Sequence, residues 1–165
     1  MEHEGTHRGT LSFWGAVIAL TGVAHVTLAA MSIRLAVLRG VLILAAAGEC
    51  LGGGFGVFRP RWFAERNGRP YDPAYHGVSQ DFGFYNLAFA LLLALAARDP
   101  ATNARVIAVA VVLYAVHGVT HMLRYVGLYY GGGTSIPTRP RAMEMRDGLQ
   151  LVAAATGMVL FFPWA

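Results

Sequence analysis

Residues 106–128 read VIAVAVVLYAVHGVTHMLRYVGL, an apolar stretch long enough to form a helix that crosses a bilayer. Within it, Tyr114, His117, His121 and Arg124 recur every three or four residues, so they share one face of that helix. Ionisable side chains at membrane depth are energetically expensive and are commonly functional. This stripe is therefore the first candidate for a functional site.

The composition predicts a membrane protein, because 56% of the residues are hydrophobic and only 13% are charged. Five apolar stretches approach the roughly 20 residues of a spanning helix; they are 11–33, 35–58, 82–97, 106–128 and 149–164. The sequence thus predicts an all-α, polytopic transmembrane helical bundle of about five spans, with four spans and a re-entrant segment as the alternative. We expect residues 1–165 to form a single integral membrane domain, and no internal repeat stands out.

Every basic residue is an arginine, and the arginines are unevenly distributed between the predicted loops. With five spans, one side holds Arg8 and the loops 59–69 and 139–141, whereas the other side holds Arg34, Arg98 and Arg105. The positive-inside rule then predicts a multi-pass protein of the cell inner membrane with a cytoplasmic N-terminus. This topology accounts for the net charge of +4, and no basic, aromatic-interleaved stripe indicates nucleic-acid binding.

Polar residues of four predicted spans fall at the same depth. In an alternating bundle, the late residues of the second and fourth spans share one half of the bilayer with the early residues of the third and fifth. We expect them to form one polar pocket in the cytoplasmic half. Its predicted catalytic residues are Glu49, Asp81, His117, His121 and Asp147. Its predicted substrate-binding residues are Tyr85, Asn86, Tyr114, Arg124 and Gln150.

Acid–base catalysis on a lipophilic substrate is the chemistry that this pocket favours. A buried, protonated carboxyl group such as Glu49 can donate a proton, and a histidine or second carboxylate can remove one elsewhere. The predicted function is a small membrane enzyme that isomerises or cyclises a terpenoid-like substrate without a cofactor. The predicted partners are a lipid-soluble small molecule and the membrane lipids.

Four alternatives remain open at the level of sequence. His117 and His121, one helical turn apart, could hold a transition metal with Glu49 completing the site. A haem with two histidine ligands would need two helices, for example His25 with His117. A proton-coupled transporter with a relay through the same residues, or a structural membrane subunit, is also compatible with the pattern.

The single cysteine, Cys50, excludes an internal disulfide and CxxC redox chemistry within one chain. Glycines at 52–54 and at Gly118 allow close helix contacts, either within the chain or in a homo-oligomer.

Three segments of the second half resemble a known kind of membrane protein. They are QDFGFYNLA at 80–88, AARDP at 96–100 and HGVTH at 117–121. In these segments the chain resembles small, uncharacterised bacterial membrane proteins of the DoxX-like kind. The resemblance implies a compact helical bundle and no particular reaction. The extra apolar stretch at the C-terminus departs from the four-helix pattern of that group.

Overall fold

The computed structural model describes the backbone of residues 5–66, 71, 73, 76–127 and 141–163, and side chains from residue 30 onward within these ranges, except at 141. Five helices follow one another: α1 (Gly5–Phe58), α2 (Pro60–Arg66), α3 (His76–Arg98), α4 (Ala104–Tyr125) and α5 (Arg141–Phe161). No strand occurs in the ranges described. The predicted all-α helical bundle is therefore confirmed. His25 lies in α1, but its side chain is outside the described residues.

Helix α1 differs from the sequence prediction, because it runs without a break through 54 residues. The predicted separation of the stretches 11–33 and 35–58 at Arg34 was wrong. The residues around Arg34 include neither proline nor glycine, so nothing there ends a helix. At 1.5 Å per residue α1 is about 80 Å long, more than twice the hydrocarbon thickness of a bilayer. It also lacks the reversal on which the predicted cytoplasmic N-terminus depends.

Three helical segments with described side chains are long and apolar enough to cross a membrane: Ala30–Phe58, His76–Arg98 and Ala104–Tyr125. Helix α5 has the length of a span, but charged residues crowd its first two turns. It also begins earlier than the predicted stretch 149–164, so those charged residues belong to the helix and not to a connector.

Two antiparallel hairpins make up the bundle, and glycines bring the helices of each hairpin together. In the first hairpin, the second half of α1 crosses α3 where a Cβ on Gly53 would lie 2.7 Å from the Gly83 carbonyl oxygen. In the second, α4 crosses α5 where a Cβ on Gly118 would lie 2.9 Å from the Gly148 carbonyl oxygen. Small residues permit such close backbone approach between membrane helices.

The two hairpins repeat one pattern. The same number of residues separates Gly53 from Gly83 and Gly118 from Gly148. Buried positions also correspond, since Gly83, Ala90, Leu93 and Ala97 of α3 align with Gly148, Ala155, Met158 and Phe162 of α5. Each first helix contacts the second helix of the other hairpin, as an approximate two-fold relation between the hairpins would produce. The chain therefore contains an internal repeat that the sequence analysis did not find.

An apolar core joins the hairpins in the half of the bundle nearest the α3–α4 turn. Its fully buried side chains are Leu38, Leu42, Leu93, Ile107 and Met158. The glycine crossings and the polar residues lie in the other half. The candidate site is therefore positioned mainly by contacts within a hairpin.

The turn between α3 and α4 is held by Asp99. The Thr102 hydroxyl donates to Asp99 Oδ2 over 2.6 Å, and Asn103 Nδ2 donates to the Asp99 carbonyl oxygen over 2.8 Å. The Thr102 hydroxyl and the Thr102 backbone amide both donate hydrogen bonds to the Asp99 carboxylate, and these bonds lower the pKa of Asp99 below its ordinary value. A carboxyl group with a lowered pKa stabilises the fold above its ordinary pKa and loses that contribution as the pH falls through the lowered value.

We therefore expect the protection of the Thr102 amide from hydrogen exchange, corrected for the intrinsic rate, to fall between about pH 5 and about pH 2. In Asp99→Ala the protection should be low and independent of pH. Equal protection at both ends of this range in the native protein would contradict the assignment of the turn to the Asp99 carboxylate.

Candidate functional site

His121 and Glu144 form a buried hydrogen-bonding contact between α4 and α5. They are 5% and 7% exposed, and Nδ1 of His121 contacts Oε2 of Glu144. The contact lies one helical turn from the Gly118–Gly148 crossing, where the helix backbones are close enough for short polar side chains to meet. A carboxylate buried among apolar helices requires a hydrogen-bonded partner, and His121 supplies it.

His117 extends this contact toward the outside of the bundle. Its Nε2 lies 3.0 Å from Nε2 of His121, and the two rings stack with centroids 4.7 Å apart. Because His121 Nδ1–H donates to Glu144, Nε2 of a neutral His121 accepts, and Nε2–H of His117 donates to it. Nδ1 of His117 then presents a lone pair, and the His117 residue lies on the exposed side of α4. The three side chains form a carboxylate–imidazole–imidazole chain.

The chain of hydrogen bonds can move a proton. When His117 takes up a proton at Nδ1, its Nε2–H proton can pass to Nε2 of His121, and Glu144 stabilises the resulting imidazolium. In this arrangement the base, His117, is oriented by His121, and His121 is in turn oriented by Glu144. The charges of Arg124, Asp147 and Glu144 also act on His117. Of the five predicted catalytic residues, His117 and His121 are thus in contact, and Asp147 of the same hairpin acts on His117 through its charge.

Glu49 lies apart from this cluster and contacts the opposite hairpin. Tyr114 donates its hydroxyl hydrogen to the Glu49 carboxyl group, and the Tyr114 ring packs edge-on against Phe89 at 5.8 Å. Tyr114 and Glu49 occupy corresponding positions in the two repeats, so their contact lies near the approximate two-fold axis. The sequence analysis treated Tyr114 as a substrate-binding residue, whereas the structure makes it the hydrogen-bond partner of Glu49.

Four other predicted residues are not brought to the cluster. Asp81 and Gln150 are exposed, Tyr85 is 73% exposed, and Asn86 is half-buried beside Gly52. Among the described residues, the structure shows contacts of His117 with His121 and of Glu49 with Tyr114, and the single closed polar pocket stays a prediction. Equal depth along antiparallel helices does not bring side chains together when they lie on different faces.

Glu144 was missed by the sequence analysis, because it falls before the apolar stretch 149–164. A signal was nevertheless present. The buried positions of α5 recur at alternating intervals of four and three residues, and that stripe extends backward to Glu144: Glu144, Gly148, Leu151, Ala155, Met158 and Phe162. A polar residue at the start of a buried stripe indicates a carboxylate that faces the neighbouring helix.

The polar pair is present in only one of the two repeats. Gly56 and Ser79 occupy the positions that correspond to His121 and Glu144, and a Cβ on Gly56 would lie 3.3 Å from the Ser79 carbonyl oxygen. The same helix crossing is therefore made by small residues in the first hairpin. Because that crossing forms without a polar pair, packing of the two helices does not require His121 and Glu144.

Within the described part of the chain, no three His, Cys, Asp or Glu residues converge as a metal site would require. The Nε2 atoms of His117 and His121 converge, but Glu49 contacts Tyr114. The transition-metal and haem hypotheses thus remain predictions that would need ligands from other residues.

Comparisons of the chain with protein-family models, curated proteins and solved structures find no match. The resemblance to DoxX-like proteins therefore stays a prediction. The class that fold and site define is an all-α helical bundle whose described residues include three helices able to cross a membrane and a buried carboxylate–histidine pair.

Proposed function

We propose that this protein is a small integral membrane enzyme that performs acid–base chemistry, isomerisation or cyclisation, on a lipophilic substrate. The observation that carries the proposal is the hydrogen-bonded chain from Glu144 through His121 to His117. His117 is the catalytic base, whereas His121 and Glu144 are positioning residues that act through it. No cofactor is needed for this chemistry.

The proton donor in this proposal is Glu49, acting with Tyr114. An isomerisation removes a proton from one carbon atom and adds a proton at another, so the substrate must meet both an acid and a base. Tyr114 and His117 are three residues apart on α4 and share one side of that helix. Tyr114 itself is 4% exposed, so in this proposal the substrate meets His117 and the half-buried Glu49 carboxyl group, and Tyr114 holds Glu49 from within the core. Because His117 is on the exposed side, the substrate enters from the bilayer.

The proposed location is the cell inner membrane. The end of the bundle that carries Arg59, Arg61 and Arg66 faces the cytoplasm in this proposal, because arginines are enriched on that side. The candidate site then lies in the cytoplasmic half of the bilayer. Because α1 runs without a break from Gly5 to Phe58, this orientation places its N-terminal end on the opposite side of the membrane, in conflict with the predicted cytoplasmic N-terminus, and reporter fusions at both termini would decide between them.

Solvent deuterium provides the test, because the substrate need not be known beforehand. Protein in mild detergent is incubated with a membrane lipid extract in D₂O, and the lipid-soluble compounds are analysed by mass spectrometry. We expect one species to gain carbon-bound deuterium with the native protein. In His117→Ala the rate should fall by about 100-fold or more, the usual effect of losing a general base.

His76→Gln is the matched control, since it removes a histidine of the first hairpin. It should leave the labelling rate unchanged. Glu144→Gln should shift the pH dependence of labelling, because the amide no longer stabilises a protonated His121. Absence of any labelled species above the His117→Ala background would contradict the proposal. A stoichiometric metal that disappears in a His117→Ala, His121→Ala double variant would instead favour the metal hypothesis.

A further inference from the structure

The corner between α1 and α2 has the features of a membrane–water interface. Arg59 and Pro60 follow the last residue of α1, and Pro60 takes the first position of α2, where no backbone N–H is needed. The Trp62 ring packs on Phe55 with centroids 4.6 Å apart and remains 46% exposed. Tryptophan beside arginine at the end of a spanning helix is typical of the headgroup region.

A cleft of about 360 Å³ opens at this corner. Its polar lining comes from Arg59, Arg61, Glu65, Tyr71 and His76. Arg61 is paired with Glu65 over 2.9 Å, and the Tyr71 hydroxyl lies 2.7 Å from Nδ1 of His76. Among the residues that the structure describes, the Arg59 guanidinium contacts no carboxylate. The cleft thus has one uncompensated positive charge, which favours an anionic ligand.

A second cavity, of about 280 Å³, adjoins this cleft on α1. Phe58 and Arg59 line both cavities, and the second is otherwise lined by Cys50, Leu51, Gly54 and Phe55. Gly54 is part of this lining, and a Cβ there would meet nothing within 4 Å, so a larger side chain at this position would extend into the cavity. The groove is apolar and belongs to the spanning segment Ala30–Phe58, so it lies beside the acyl chains of the bilayer.

We propose that this composite cleft is a binding site for one anionic glycerophospholipid. The phosphate group pairs with Arg59 at the interface, and one acyl chain occupies the groove past Gly54. A ligand that occupies both cavities must be amphipathic, because the positively charged cavity and the apolar cavity share Phe58 and Arg59 in their linings. The site lies on the first hairpin and shares no residue with the His117 cluster, so it stands independently of the proposed reaction.

Lipid retention measures this preference directly. The full-length protein is reconstituted in nanodiscs containing equal amounts of phosphatidylglycerol and phosphatidylcholine, and lipids retained after detergent extraction are counted by native mass spectrometry. We expect one phosphatidylglycerol to be retained per chain. Arg59→Gln should lower the preference for phosphatidylglycerol about fivefold, the effect of removing one basic residue at a membrane surface. Arg105→Gln, which alters an exposed arginine at the other end of the bundle, should have no effect.

Occupation of the groove is tested with a glycine pair. Gly54→Leu extends a side chain into the second cavity and should abolish retention of either lipid. Gly40→Leu, at another position of α1 where a Cβ meets nothing within 4 Å, should retain the lipid. Equal retention of the two lipids by the native protein, or equal effects of Arg59→Gln and Arg105→Gln, would overturn the proposal. Displacement of phosphatidylglycerol by inorganic phosphate alone would assign the cleft to a free anion and would also overturn it.

Discussion

Gly118→Ala should destabilise the protein by about 2 kcal/mol, although alanine is the better helix former. The added Cβ would lie 2.8 Å from Cγ2 of Val152 and 2.9 Å from the Gly148 carbonyl oxygen. A side chain can rotate away, but the carbonyl oxygen belongs to the α5 backbone, so the two helices must separate. The His121–Glu144 contact lies one turn away and should weaken with them. The midpoint of unfolding in mild detergent measures the effect.

Gly48→Ala is the control for this substitution. Gly48 is also a helical glycine in a spanning segment, but a Cβ there meets nothing within 4 Å. Without a steric conflict, the higher helix propensity of alanine should leave stability unchanged or raise it by up to about 1 kcal/mol. Equal destabilisation by the two substitutions would show that Gly118 acts through general helix properties and not through the crossing.

The sequence was more informative about how far along its helix each polar residue lies than about which polar side chains face one another across helices. Apolar length and the spacing of polar residues indicated the helical bundle and the pairing of His117 with His121. Asp81 has the same depth as His121, but it is exposed on α3. Depth follows from the number of residues along a helix, whereas facing depends on how each helix is rotated about its axis. That rotation is determined by packing at Gly83 and Gly148, which the apolar pattern alone does not reveal.

Two further differences have local causes. The sequence analysis divided α1 at Arg34 because a span was assumed to match the bilayer, but helix continuity depends on backbone propensity and not on membrane thickness. The predicted apolar stretch 149–164 left out residues 141–146, because they are polar. In the structure they form the first two turns of α5, since Glu144 and Gly148 belong to the stripe that packs on α4. A polar segment can be helical when its few inward positions have partners.

Glu144→Ala should have the largest effect on stability, a loss of about 3 kcal/mol or more in the free energy of unfolding. The substitution leaves the buried His121 without the acceptor for its Nδ1–H and opens a cavity at a contact where both partners are less than 10% exposed. His121→Leu should be costly for the complementary reason, because Glu144 is then deprived of a buried donor. Both values can be measured by equilibrium unfolding in mixed detergent.

The double variant His121→Leu, Glu144→Met distinguishes a structural pair from a functional one. Apolar replacement of both partners of a buried ion pair is often neutral or stabilising, so the double variant should recover most of the stability lost in the single variants. Gly56 and Ser79 show that the corresponding crossing in the first hairpin forms with small residues in these positions. If the double variant is as stable as the native protein but no longer labels a lipid-soluble compound from D₂O, the pair serves chemistry at His117. Additive losses from the two single substitutions would instead mean that His121 and Glu144 do not act as a pair, and the proposed relay would fail with them.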